Sequence, residues 1–169
     1  MNEGKKFEED FSSSIIKDGI FIYRLRDSSS GWNDGKTGRF TVTNACDFIS
    51  FNPNTRKVVL FECKSFKGKS CSFTNIKKHQ VEDMYKHSLN KDVEAYFIFN
   101  FRDIEETYSL SAEEVKNYMH NSERRSIPLD FCREKGILIE SIKKRVRFYY
   151  NINTLYDKLK EKLKEKEDA

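Results

Sequence analysis

A chain of 169 residues that is 37% hydrophobic and 34% charged can bury one sizeable core, and it reads as a single domain over 1–169. Its 31 basic and 27 acidic residues leave a net charge of +4, which suits a nucleic-acid partner but excludes a purely electrostatic DNA coat. No apolar run reaches the roughly 20 residues of a membrane helix, no signal-like segment opens the chain, and Cys46, Cys63, Cys71 and Cys132 form no CxxC pair; a cytoplasmic protein with reduced thiols is expected.

The elements follow in chain order. Gly4 opens an amphipathic helix in which Phe7, Phe11 and Ile15 recur every four residues and face the core. Ile20–Leu25 reads as a first strand, and Asp27–Gly38, rich in Ser, Gly, Asn and Asp around Trp32, as a loop. Phe40–Ala45 leads into a strand opened by Asp47. After a turn at Asn52-Pro53-Asn54 comes a strand ending in Glu62-Cys63-Lys64. A Lys/Gly/Ser segment, 65–72, precedes a helix over Asn75–Leu89 with Ile76, Gln80 and Met84 on one stripe. Ala95–Phe101 is a buried-type strand and Thr107–Leu110 a shorter one. Ser111-Ala112-Glu113-Glu114 is a capping box opening another helix. The basic loop Arg124-Arg125-Ser126 follows, and a charged helix occupies 154–169, with Leu155, Leu159 and Leu163 four apart. The order predicts an α/β fold, a mixed sheet flanked by helices.

The strand carrying Glu62 and Lys64 bears the chemistry. Alternation puts both on one face and Cys63 on the other. A hairpin through Asn52-Pro53-Asn54 brings Asp47 back beside Glu62. Two carboxylates and a lysine at a strand end can hold a hard cation and activate water, which points to phosphodiester hydrolysis. Taken singly, Glu62 and Lys64 are also what a surface ion pair looks like, worth about 0–1 kcal/mol. Asp47 alone is also what a turn cap looks like. The preceding run Val58-Val59-Leu60-Phe61, apolar on both faces, favours a site over a surface pair.

These segments resemble the PD-(D/E)xK nuclease superfamily and, within it, RecU-type Holliday junction resolvases of the short, phage type. The likeness rests on Gly4-Lys5-Lys6-Phe7-Glu8, Asn44-Ala45-Cys46-Asp47-Phe48, Phe61-Glu62-Cys63-Lys64-Ser65, Ser72-Phe73 and His79-Gln80-Val81-Glu82, in that order, over roughly 3–101. Two departures are visible: Cys46 precedes the aspartate where proline is common, and the 27–38 segment is short for the stalk of RecU proteins. The resemblance implies a restriction-endonuclease-like fold and a metal-dependent endonuclease with Mg²⁺, replaceable by Mn²⁺. Glu8, Asp47, Glu62 and the Cys63 carbonyl would hold metal. Lys64 would orient or help deprotonate water, and Gln80 would fix the lysine or the water. It also implies a homodimer, with strands 95–101 and 107–110 or the terminal helix as candidate interfaces.

Arg24, Arg26, Arg39, Lys67, Lys69, Lys77, Lys78 and His79 are candidate DNA contacts, with Arg124 and Arg125 as a second basic pair. His87 and His120 show no zinc spacing. Three readings stay open: a junction resolvase on branched or duplex DNA, another PD-(D/E)xK nuclease for repair, restriction or nicking, and a non-catalytic DNA-binding accessory protein.

Overall fold

The computed structural model describes residues 2–25 and 44–168. Arg26, Arg39 and the 27–38 loop with Trp32 lie outside the described residues.

Helix α1 (Glu3–Lys17) starts where the Asn2 side chain accepts a hydrogen bond from the Gly4 amide, and it buries Phe7, Phe11 and Ile15 as its four-residue spacing predicts. The strand expected over 20–25 contracts to β1 (Ile22–Arg24), an edge strand whose side chains stay largely exposed. Next come β2 (Phe48–Asn52) and β3 (Lys57–Phe66). Their turn is fixed by the Asn52 side chain, which accepts from the Asn54 amide at 2.9 Å. β4 (Ser70–Ser72) and a 3-10 turn at Phe73–Asn75 precede α2 (Lys78–Ser88). This helix begins three residues later than its periodicity suggests, because Ser72 caps the short turn and Ile76 enters the core from extended backbone. Ile76, Gln80 and Met84 are nonetheless all buried.

β5 (Val93–Phe101) and β6 (Glu106–Ser111) lead into α3 (Ala112–Asn121), where the Ser111/Glu114 capping box forms in full. β7 (Ser126–Pro128), α4 (Leu129–Lys135), β8 (Ile137–Leu138), and the hairpin β9 (Ser141–Lys144) and β10 (Arg147–Tyr150) were not foreseen. α5 (Ile152–Asp168) closes the chain.

The main sheet has six strands in the order β1-β2-β3-β5-β6-β8 and is mixed: β3 and β5 run parallel, and every other neighbouring pair is antiparallel. Alternation on β3 and β5 divides the core. Leu60, Phe66, Phe97, Phe99 and Phe101 pack under α2 and α3. Val59, Phe61, Cys63, Tyr96 and Ile98 pack under α1, β10 and α5. Each fully buried phenylalanine contributes about 1.5–3 kcal/mol relative to an exposed one, so β5, buried from Glu94 onward, anchors both layers.

That placement overturns two interface candidates. Strands 95–101 and 107–110 are interior to the sheet, paired on both edges and covered on both faces, so they have no surface to offer a second chain. Leu155 and Leu159 of α5 likewise pack into the chain's own core. No helix among the described residues is long and apolar enough to cross a membrane.

Candidate active site

The site forms where β2 begins and β3 passes beyond it. Phe48 pairs with Phe61, which leaves Asp47 opposite Glu62. Three backbone-directed bonds fix Asp47. Its amide donates to the Phe61 carbonyl at 3.0 Å, its carbonyl accepts from Leu25 at 2.9 Å, and its Oδ2 accepts from the Cys63 amide at 2.7 Å. The N–H and C=O of one strand residue point to the same side. The Cys63 carbonyl is therefore turned toward the same edge as its amide, past the start of β2.

Glu62 is 2% exposed. Its Oε1 accepts from Lys64 Nζ at 2.6 Å, and its Oε2 is buried without a hydrogen-bond partner among the described residues. Burial first, and the Asp47 charge second, push its carboxyl up to about 7, against the pull of Lys64. Gln80 reaches the pair from α2, its Oε1 accepting from Lys64 Nζ at 3.4 Å. Asp47, Glu62, Lys64 and Gln80 thus come together from three places in the sequence: the start of β2, β3 and α2.

Glu8 belongs to the other layer. It projects from α1 and pairs with Arg24 Nη2 at 2.5 Å, and Arg24 in turn lies over the Phe48 ring. Its charge is felt at the Cys63 thiol, so it stands near the same strand end. Yet no group of three or more His, Cys, Asp or Glu side chains among the described residues is close enough to hold an ion. Arg24, read as a DNA contact, spends its guanidinium on Glu8. The Cys63 thiol is buried with the α1 side of the core, and burial raises its pKa well above the usual range, the environment of a small apolar core residue. All four cysteines are free and buried.

Lys67, Lys69, Lys77, Lys78 and His79 are exposed around the turn after β3 and the start of α2. The β4–β7 pairing brings the second basic pair to them: the Phe73 amide donates to the Arg125 carbonyl at 3.0 Å. Arg125, Lys78, Lys116 and His120 then border one cleft of about 610 Å³.

One polar feature escaped the sequence reading. Ser65 Oγ donates to Asn100 Oδ1 at 2.8 Å, and Asn100 Nδ2 donates to Thr107 at 2.9 Å, one residue beyond Lys64 on the α1 side. The signal was an asparagine set between Phe99 and Phe101.

The donor set suits a hard cation. Two adjacent carboxylates, one with a buried oxygen that has no hydrogen-bond partner among the described residues, offer the oxygen ligands that a hard cation takes.

Comparison with known proteins agrees with this geometry. The family described as RecU, Recombination protein U, matches residues 5–154. The chain is 30% identical over 173 residues to the SPbeta prophage-derived uncharacterized protein YotM of Bacillus subtilis (strain 168), covering 94% of this chain and 87% of that one. It is 33% identical over 82 residues to the Holliday junction resolvase RecU of Mycoplasmopsis pulmonis (strain UAB CTIP), over 48% of this chain and 49% of the relative. Among solved structures it is similar to Hjc, a Holliday junction resolvase of Archaeoglobus fulgidus, with a TM-score of 0.54 and 17% identity over 80% of this chain and 95% of that one, a likeness of fold. With the match running from α1 into α5, through Asp47, Glu62 and Lys64, the chain belongs to the Recombination protein U family.

Proposed function

We propose that this protein is a divalent-metal-dependent endodeoxyribonuclease of Holliday junction resolvase type. It would act as a homodimer on branched DNA in recombination and repair, in the cytoplasm of a bacterial cell. The observation that carries the reading is the Asp47–Glu62 pair with Lys64 bonded to Glu62: a half-buried and a buried carboxylate side by side where β2 begins, with one Glu62 oxygen unpartnered among the described residues. The family match and the likeness to Hjc support the substrate class.

In the reaction, water oxygen attacks phosphorus, the P–O3′ bond breaks, and the products carry a 5′ phosphate and a 3′ hydroxyl. Asp47, Glu62 and the Cys63 carbonyl are the groups to hold Mg²⁺, which when bound stabilises negative charge on the phosphoryl oxygens. The Cys63 amide holds one oxygen of Asp47 in place. Lys64, held between Glu62 and Gln80, presents its ammonium where the water and phosphate meet and offsets the growing charge. Glu8, paired with Arg24, stands as a reserve carboxylate beside the site.

The test is cleavage of a labelled four-way junction against linear duplex of the same sequence, with Mg²⁺ and with Mn²⁺, using Asp47→Asn as control. Paired symmetric nicks in the junction that vanish in the variant are expected. Equal cutting of both substrates would leave a nuclease without junction selectivity. Tight binding without any cutting would leave an accessory protein.

A further inference from the structure

The β9–β10 hairpin has a composition unlike the strands around it. Four of the five residues 143–147 are basic: Lys143, Lys144, Arg145 and Arg147. All four are exposed, as are the two apolar residues among and before them, Val146 at 68% and Ile142 at 60%. An edge of this kind is left exposed at a cost in solvated apolar area, and its charge pattern is what a polyanion selects.

The hairpin is held firmly. The free edge of β10 faces α1, where the Phe148 amide donates to Asp10 Oδ2 and the Tyr150 amide to Ser14 Oγ, each at 3.0 Å. The spacing is commensurate: four helical residues rise about 6 Å, and two strand residues advance about 6.6 Å. Arg147 adds a bond to Asp10, and the Tyr149 hydroxyl bonds Asp18. The same helix carries Glu8, so the hairpin and the candidate site share one rigid support.

Beneath the hairpin lies a cleft of about 300 Å³ bordered by Lys6, Ser65, Asn100, Arg102, Lys143 and Arg145. It lies on the α1 face of the sheet, just beyond the strand positions that bear the site. Ser65 is three residues past Glu62, about 10 Å along the strand. Arg102, on its border, has an Nε that is buried with no hydrogen-bond partner among the described residues. The acidic residues bordering the cleft are in part already engaged: Asp10 by Arg147 and the Phe148 amide, Glu105 by Lys143.

We propose that this hairpin and cleft form a second DNA-binding element, which grips the phosphate backbone of a duplex arm flanking the cut. Lys144 and Arg145 meet phosphates at the tip. Lys6 and Arg102 take a phosphate in the cleft, and Val146 lies against sugar. A two-stranded ribbon is slim enough for the major groove, about 12 Å wide. The inference rests on the nuclease reading for its substrate, but it is separable by experiment.

Binding of a fluorescent four-way junction and of a linear duplex is measured by anisotropy in EDTA, where no cleavage occurs, between 50 and 200 mM salt. Lys144→Glu/Arg145→Glu is expected to weaken both by about tenfold or more and to lower the slope of log affinity against log salt by about two. Lys164→Glu on α5, a similar charge reversal elsewhere, is expected to stay within about twofold of wild type. Unchanged affinity and slope in the double variant, with its melting transition intact, would overturn the proposal and leave the nuclease reading standing. Should the double variant melt early, Lys144→Gln, expected to lower the slope by about one, decides in the same way. Loss of binding in the double variant beside a wild type that binds but never cuts with Mg²⁺ would uphold the hairpin and sink the nuclease.

Discussion

Two buried glutamates lie on the same pair of parallel strands, Glu62 midway along β3 and Glu94 near the start of β5, and they differ in company. Glu62, 2% exposed, is pressed by Asp47 and bonded to Lys64. Glu94, 5% exposed, sits where Asn52 Nδ2 approaches it at 3.5 Å. Both have one oxygen without a hydrogen-bond partner among the described residues, and burial raises the carboxyl of each. The neighbours of Glu94, among them Thr55, Asn52 and Lys57, all favour its charge. Glu62 instead has a second carboxylate that opposes it. Burial of an acid therefore does not mark a site by itself. An acid pressed by another acid is relieved by a proton at low pH and by a bound cation at higher pH.

The comparison is broken most sharply by isosteric replacement. Asp47→Asn and Glu62→Gln are each expected to lower metal-dependent cleavage about 10³-fold, read by single-turnover kinetics, while Glu94→Gln stays within about twofold of wild type. If Glu94→Gln is as damaging as Glu62→Gln, the distinction fails.

The pH dependence of stability comes next. Glu62 holds its proton more tightly folded than unfolded, so the folded state binds the extra proton between pH 4.5 and about 7. Stability from this residue is therefore present at low pH and lost as pH rises through about 7, a swing of about 3 kcal/mol at about 1.4 kcal/mol per pH unit. In metal-free protein, Glu62→Gln is expected to gain stability over wild type at pH 8 and little at pH 4.5, measured by urea unfolding. Mg²⁺ at pH 8 is expected to raise the unfolding midpoint of wild type and not of the variant.

The smallest effect belongs to Gln80. It acts through Lys64 at 3.4 Å, so Gln80→Ala is expected to slow cleavage about tenfold with DNA affinity unchanged. A loss in binding equal to the loss in rate would move Gln80 from positioning the lysine to contacting DNA.

Asp47, Glu62 and Lys64 were legible because strand alternation and a short Asx turn settle their geometry within 18 residues. Gln80 was legible from its place on the buried stripe with Ile76 and Met84. The long apolar strands were equally plain. What stayed hidden depends on distant partners. β9 and β10 carry charges at positions that propensity assigns to loops, and they are ordered by Asp10 and Ser14, 138 and 136 residues earlier. α4 is seven residues long, below the length at which periodicity speaks. Glu94 passed unnoticed because an acid one residue into a strand looks like a solvated end; only the turn folded over it, with Asn52 and Thr55, encloses it.

The bond from the Cys63 amide to Asp47 has a practical corollary. Since the backbone rather than the thiol makes that contact, the side chain at 63 is chemically interchangeable within the room its pocket allows. Cys63→Ala keeps the amide and the carbonyl where they are, whereas Cys63→Pro removes the donor and releases the aspartate. A cysteine-free version for site-specific dye labelling can therefore begin at the residue between the two side chains of β3 proposed as catalytic, the place where such editing would ordinarily be avoided.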